Sequence, residues 1–392
     1  MMMKKITYLL TFLITGTVLI SCGNDDEGNG IVVRDRGEVF TEDLVKLQDY
    51  LNTHFYNYEE FASNTAGSDF EIAFDTIADA NAGKTPLASQ VTTNAVTRDG
   101  VDYTYYTLKV RQGGGAAKPT FADSTLVSYE GRLLDNTVFD GSINPIWFDL
   151  PGVFVEGFTL GLLDLNEAIS INSNPDGTLS FIDSGIGAVF MPSGLAYFNI
   201  VQSGIPAYSP LIFSYQLRKS ETTDHDNDGI FSKFEDLDGD FYLKSPNDRD
   251  NTDGDQSQFG MLYNYVDVDD DGDGVATIFE NPDPNGDGDP SDAEDLDGDG
   301  IPGYLDANEV NIDLDGDGIQ NRFEQPDPNG NANAADARDT DNDGIPDYLD
   351  ADDDGDGIPT SQENADPNNN GNPIDALDSD GDGTPDYLDS DS

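Results

Sequence analysis

The chain has 392 residues, with 78 Asp and Glu against 18 Lys and Arg, and a formal charge of −60. That length suits two or three domains, and so acidic a surface excludes a nucleic-acid partner, which needs a basic footprint. One cysteine and two histidines exclude internal disulfides, thiol catalysis and Cys-type zinc sites. The charge is uneven, because residues 221–392 hold 52 of the acidic residues and five of the basic ones. Such a break divides the chain into two physical regimes.

At the start, Lys4 and Lys5 precede an apolar run from Ile6 to Ile20. A basic start and a short apolar core predict a secretory signal over 1–21, too short for a stable span. The sequence Leu19-Ile20-Ser21-Cys22 resembles a bacterial lipobox. The resemblance implies that Cys22 becomes the first mature residue and carries a diacylglycerol and an N-acyl chain, which together hold a protein on a membrane. Gly23-Asn24-Asp25-Asp26-Glu27 resembles the export signal of Bacteroidetes lipoproteins, which implies the outer membrane, facing the periplasm or the cell surface. Residues 22–37 are expected to be an acidic tether.

Residues 38–104 read as an extension. Leu44, Leu47, Leu51 and Phe55 recur at helical spacing within 41–57, with Thr41 as the expected N-cap. His54 is expected on the surface of that helix. Residues 91–98 and 101–111 alternate around Arg98-Asp99-Gly100 and predict a hairpin. A strand follows over 125–134, turned by Asp135-Asn136, and an alternating strand closes the segment over 205–217.

Between them stand Val127-Ser128-Tyr129-Glu130-Gly131, Phe139-Asp140-Gly141-Ser142, Trp147-Phe148-Asp149-Leu150, Val155-Glu156-Gly157-Phe158 and Met191-Pro192-Ser193-Gly194-Leu195-Ala196-Tyr197. In this order they resemble the FKBP family of peptidyl-prolyl cis–trans isomerases across 105–220. The resemblance implies an α+β fold, a bent antiparallel sheet around one short helix from Glu156 to Leu165. It implies an apolar cup of Tyr129, Phe139, Phe148, Phe154, Val155, Phe158, Tyr197, Ile205 and Phe213, with Asp140 at the rim. Phe148 is preferred over Trp147 for one wall. No cofactor is needed, and the partners are proline-containing polypeptides. Three departures from the family pattern stand out. Phe158 replaces a tryptophan, Phe198-Asn199 replaces a glycine after Tyr197, and residues 170–186 are longer than usual. Asn174-Pro175-Asp176-Gly177 within that insertion predicts a hairpin flap, able to narrow or cover the cup.

From residue 221 the chain repeats Asp-x-Asp-x-Asp-Gly followed by a terminal acid at the twelfth position. Alternating carboxylates, a bend at Gly and a closing acid are the ligand pattern of a calcium loop. Seven loops in register give the expected structural Ca2+ ligands. They are Asp224, Asp226, Asp228 and Glu235; Asp269, Asp271, Asp273 and Glu280; Asp295, Asp297, Asp299 and Asp306; Asp313, Asp315, Asp317 and Glu324; Asp339, Asp341, Asp343 and Asp350; Asp352, Asp354, Asp356 and Glu363; and Asp378, Asp380, Asp382 and Asp389. His225 fills a variable slot in the first. Glutamate-closed loops are followed 26 residues later by a Tyr-Leu-Asp type, as at 269 and 295, 313 and 339, 352 and 378. A degenerate copy lies at 248–267. This resembles thrombospondin type 3 repeats. Flanking amphipathic helices are missing, so an EF-hand switch is rejected. With few apolar residues, an irregular arm with little regular secondary structure is expected, whose folding and calcium binding are one event.

The predicted whole is a membrane-anchored peptidyl-prolyl isomerase that assists folding of exported or surface proteins, with a calcium-binding arm. The competing readings are an inactive cup that only captures proline segments, and a calcium-stiffened adhesion or spacer lipoprotein.

Overall fold

The computed structural model describes residues 33–63, 71–244, 250–254, 256–257, 260–295, 298–308, 313–326, 328 and 334–391. Cys22 and Asp297 lie outside them, as does part of the 248–267 copy. The first helix, α1 (Arg36–Thr53), begins earlier than the apolar spacing predicts. Asp35 is the N-cap, its carboxylate accepting the Glu38 N–H at 2.9 Å. The expected cap, Thr41, lies inside the helix, where its hydroxyl donates to the Gly37 carbonyl at 2.9 Å. His54 ends the helix, half-buried, with its ring stacked on Tyr50 at 3.8 Å. A short ladder of β1 (His54–Tyr56) and β2 (Phe74–Thr76) brackets α2 (Tyr58–Ser63).

The main sheet is antiparallel, of six strands. In chain order these are β3 (Thr92–Arg98), β4 (Val101–Arg111), β5 (Ser124–Leu133) and β6 (Val138–Asp149). After α3 (Glu156–Leu162) and a small hairpin of β7 (Ser170–Ser173) and β8 (Leu179–Ile182) come β9 (Gly185–Met191) and β10 (Leu211–Glu221). The spatial order is β3-β4-β9-β10-β5-β6. Asp99 at φ 50° and Gly100 at φ 74° make the tight β3–β4 turn. Strand β4 runs through the expected 104/105 boundary, so extension and isomerase-like segment share one sheet. The closing strand starts at Leu211 rather than 205, because Pro206 and Pro210 cannot donate to a ladder. Ile205 instead bridges Gln202. Helix α3 stops at Leu162, three residues short of expectation, although Leu165 is still buried in the core.

Strand alternation gives the sheet two buried faces. One packs Val127, Val189, Met191, Phe213, Tyr215 and Leu217 against Phe158 and Leu162 of α3. The other packs Leu108, Ile186, Ala188, Phe190 and Ile212 against Leu47, Tyr50 and Leu51 of α1.

Beyond β10 the chain contains two-residue strands at 256–257 and 260–261 and a succession of 3-10 turns, one at positions nine to eleven of each acidic loop. Its root packs on the sheet unit. Phe121 and Ala122 join Leu243 and Tyr265 in a small core, and Ser124 N–H donates to Thr223 Oγ1 at 3.1 Å. Residues 35–392 form one compact unit. Among the described residues no helix is long and apolar enough to cross a membrane.

Candidate functional site

Strands β5, β6 and β10 and the start of α3 bring the aromatic residues together. Phe158, 3 % exposed, forms the floor. Its ring meets Phe148 at 5.1 Å, Phe213 at 5.3 Å, Tyr215 at 5.4 Å and Tyr129 at 5.8 Å. Phe139 continues the wall against Phe213 at 5.5 Å. Edge-to-face contacts dominate, the arrangement that ring quadrupoles favour. Val155 and Ile205 are buried beside them. Phe148 faces this cluster, whereas Trp147 is 46 % exposed and lies near Lys219. At the mouth, Phe154 is 64 % exposed and stacks on Tyr197 at 5.4 Å.

The polar rim is spare. The Tyr129 hydroxyl donates to Asp140 Oδ2 at 2.8 Å, and Asp140 Oδ1 accepts the Gly141 N–H at 2.8 Å. Burial, then the bond to Asp140, pushes the Tyr129 phenol well up. Burial followed by the Asp140 charge raises Tyr197 too. Both remain neutral hydrogen-bond donors at physiological pH. Gly131 is required in the wall, since a Cβ there would stand 2.6 Å from the Phe139 ring and 2.8 Å from Phe213.

The loop that carries Tyr197 is braced from α1, which spacing alone does not reveal. Asp43, fully buried, accepts the Ser193 N–H at 2.9 Å and the Ser193 hydroxyl at 2.5 Å. Phe198 holds φ 49°, the left-handed conformation that a glycine would adopt freely. Its ring lies under Arg36 at 4.2 Å and against Tyr208 at 5.2 Å. Phe198 thus holds a left-handed backbone after Tyr197 and anchors the loop by packing.

The 170–186 insertion does form a hairpin, closed at Asn174–Gly177, but it does not cover the cup. Phe181 packs over Arg218 at 4.7 Å. Together with Ser128, Glu130 and Gln216 these line a cavity of about 450 Å3 on the opposite side of the sheet.

The acidic loops are built alike. In every one, the N–H of the sixth-position glycine donates to Oδ2 of the first Asp, at 3.0 to 3.3 Å. Those glycines have φ between 94° and 104°, closed to side-chain-bearing residues. The fourth position is left-handed too, and is Gly or Asn wherever it is described. Asp224, Asp226 and Asp228 converge within 4.8 Å, as do Asp269, Asp271 and Asp273, and Asp313, Asp315 and Asp317. The closing acids Glu235, Glu280, Asp306, Glu324 and Glu363 are buried. Asp350 feels the charges of Asp341, Asp343 and Asp352, and Asp389 that of Asp382. Asp295 and Asp299, Asp339, Asp354, Asp356, Asp378 and Asp380 take the same loop positions through the same N–H bonds. A further group, Asp236, Asp238 and Asp250, was not anticipated, because its spacing departs from the motif.

These carboxylates are poor partners for one another. Burial, reinforced by neighbouring carboxylates, pushes Glu324 up to about 11, Asp353 to about 9 and Asp315 to about 8. Both oxygens of Asp226, Glu235, Glu324 and Asp353 are buried without a hydrogen bond. A hard divalent cation that takes six to eight oxygens matches such a donor set. His225 is not loosely held in its slot, since Nε2 meets Asp149 Oδ1 at 2.8 Å and Nδ1 meets Ser232 Oγ at 2.8 Å.

Residues 225–292, which hold most of the first two loops, match the BamM C-terminal family. Over 140 residues the chain is 34 % identical to the probable FKBP-type peptidyl-prolyl cis–trans isomerase FkpA of Neisseria meningitidis serogroup B, covering 34 % of this chain and 51 % of the relative. The chain thus spans about half the length of the curated relative it matches. Similar solved structures include a Pseudomonas syringae peptidyl-prolyl cis–trans isomerase (25 % identity, 34 % of this chain, 81 % of that one, TM-score 0.26). FkpA from Escherichia coli has 22 % identity, 47 % and 62 % coverage and a TM-score of 0.28. The three FKBP domains of wheat FKBP73 have 17 % identity, 33 % and 51 % coverage and a TM-score of 0.26. This chain is similar in sequence to the FKBP-type peptidyl-prolyl cis–trans isomerases.

Proposed function

We propose that the sheet unit catalyses cis–trans isomerisation of prolyl bonds in exported or surface polypeptides. The observation that carries this reading is the cup itself, a buried aromatic floor under two neutral phenols and one carboxylate. Rotation of a prolyl amide faces a barrier of about 20 kcal/mol, most of it lost resonance. The planar amide is charge-separated, and the twisted one is less polar. A site walled by Phe139, Phe148, Phe158 and Phe213 offers little solvation to the former. It therefore favours the latter, which is differential binding of the transition state rather than covalent chemistry. The Tyr197 hydroxyl bonds no protein group among the described residues and is free to hold the substrate carbonyl. Asp140 fixes Tyr129 and polarises the rim. No proton is transferred and no nucleophile is consumed.

The acidic arm binds calcium as a structural ion, held by the first, third, fifth and twelfth residues of each loop, in the manner of thrombospondin type 3 repeats. Order in the arm depends on it. The start of the chain supports export and a lipid anchor at Cys22 in the outer membrane. The test is line-shape or exchange NMR of a short Xaa-Pro peptide with the full chain, with Tyr197→Phe and with Asp140→Ala. Exchange above buffer in the parent and a fall of about tenfold in either variant, the worth of one hydrogen bond, are expected. Exchange equal to buffer refutes catalysis, and peptide binding without exchange would leave a proline-segment receptor. Replacement of Cys22 by Ser is expected to release the protein from membranes.

A further inference from the structure

The second residue of each acidic loop is not one of its ligand positions, and its side chain differs from loop to loop. Where it is described, its backbone is nonetheless fixed by a common device, a bond from its N–H to the side chain of the ninth residue. The N–H of Asp270 donates to Thr277 Oγ1 at 3.1 Å, and that of Asp353 to Thr360 Oγ1 at 3.3 Å. Both threonines are fully buried. The side chain of Asp270 then points into the preceding glutamate-closed loop. Asp270 meets Asp228 and Glu235 of the 224–235 loop, with one ligand oxygen of each lying within 4.8 Å of the others. These three are 1 %, 0 % and 2 % exposed. Both oxygens of Asp270 and Glu235 and Oδ2 of Asp228 are buried without a hydrogen bond. Asp353, 2 % exposed, holds the matching second position of the 352–363 loop. Its charge acts on Glu324, the charges of Asp315 and Asp317 act on both, and both Asp353 oxygens lack a partner.

Resting on the calcium reading of the arm, we propose that Asp270 and Asp353 are ligands borrowed across repeats. Each completes the cation site of another loop, so that one ion clamps two repeats. Removing unpaired carboxylates from water is among the costliest acts in folding unless a counter-ion accompanies them. Here the nearest charged groups are further carboxylates. The contrast lies between the two clamps. The second residue of the 313–324 loop is Leu314, which packs with Val275, Phe279 and Tyr348 in an apolar cluster. The junction at Leu314 is therefore apolar, in contrast to the carboxylates that stand at Asp270 and Asp353.

The experiment uses the full chain, stripped with chelator, titrated with CaCl2 by calorimetry and counted by native mass spectrometry. Loss of an outer-shell partner alone costs metal sites about 10- to 100-fold in affinity. Asp270→Asn is expected to weaken one site by at least that factor and to leave the others. Proteolysis gives a second readout with a sign reversal. In chelator, Asp270→Asn resists protease better than wild type, because one repulsive charge is gone; in calcium it resists less. Asp353→Asn repeats the test at the other clamp, should the first variant fold poorly. Unchanged isotherms in both variants, while wild type binds calcium, overturn the borrowed-ligand assignment alone. Protection that shifts in the same direction with and without calcium also overturns it. A wild-type chain that binds no calcium overturns the calcium reading as well.

Discussion

Arg98, at the end of β3, is the pin between the sheet unit, the floor helix and the arm, and its removal makes a quantitative test. Its Nε donates to Glu156 Oε1 at 2.7 Å, Nη1 to Asp240 Oδ2 at 3.2 Å and Nη2 to the Asp240 carbonyl at 2.9 Å. The Arg98 and Glu156 side chains are 10 % and 17 % exposed. In Arg98→Met, Glu156 stays buried at the start of α3 without its cation. Breaking a buried pair costs 3–5 kcal/mol, and the partial exposure places this one at about 3 kcal/mol. Urea unfolding in saturating calcium, followed by circular dichroism, measures it. Burial already holds the Glu156 carboxyl above its ordinary value, against the pull of Arg98. In the variant that rise grows, so the folded state binds more protons than the unfolded chain. The deficit must then shrink as pH falls toward the ordinary carboxyl range and grow as pH rises. Adding Glu156→Gln should recover part of the loss, because no buried charge is left unpaired. A deficit under about 1 kcal/mol, the worth of an ordinary exposed pair, would refute the pin. So would a double variant as unstable as the sum of the singles.

Other outcomes follow from the same geometry. Gly131→Ala puts a methyl against Phe139 and Phe213. It should cost about 1–3 kcal/mol in stability and lower isomerase kcat/KM, read by peptide exchange and denaturation together. Asp43→Ala leaves the Ser193 N–H and hydroxyl without their acceptor. A loss of about 1–3 kcal/mol is expected, with a fall in exchange rate as Tyr197 loses its bracing. In chelator the arm should gain order as pH drops from about 9 toward about 4. Asp353 and Glu324 carry raised values in the folded arm, so that state binds the extra protons. Circular dichroism against pH checks it, and saturating calcium should flatten the trend, since the cation displaces those protons.

Much of this was legible in the chain because it depends on local chemistry. The β3–β4 hairpin is written in Arg98-Asp99-Gly100, the β7–β8 hairpin in Asn174–Gly177, and the loops in their glycines. What escaped reading depends on distant partners. Asp35 rather than Thr41 caps α1, because two capping residues stood six apart and the structure uses the earlier one. Strand β10 starts late because prolines delay it. Which face of the sheet the β7–β8 hairpin meets is decided by Phe181 finding Arg218, a contact that no spacing encodes. Phe148 over Trp147 followed from the Phe-x-Leu spacing of the family resemblance, whereas the roles of Asp43, Asp270 and Asp353 arise only when elements dozens of residues apart meet. Their signal in the sequence was slight: an acid where the apolar stripe of α1 runs, and an acid at a loop position that the motif leaves open.

The arm is joined at both flanks of the floor of the cup. His225 holds Asp149, the neighbour of Phe148, and Asp240 holds Arg98, which in turn holds Glu156 two residues before Phe158. Whatever pulls on the arm therefore pulls on the walls of the pocket. A tug borne by this acidic handle would be felt as a change in the width of the aromatic mouth, and a polypeptide gripped there would strain the handle in return.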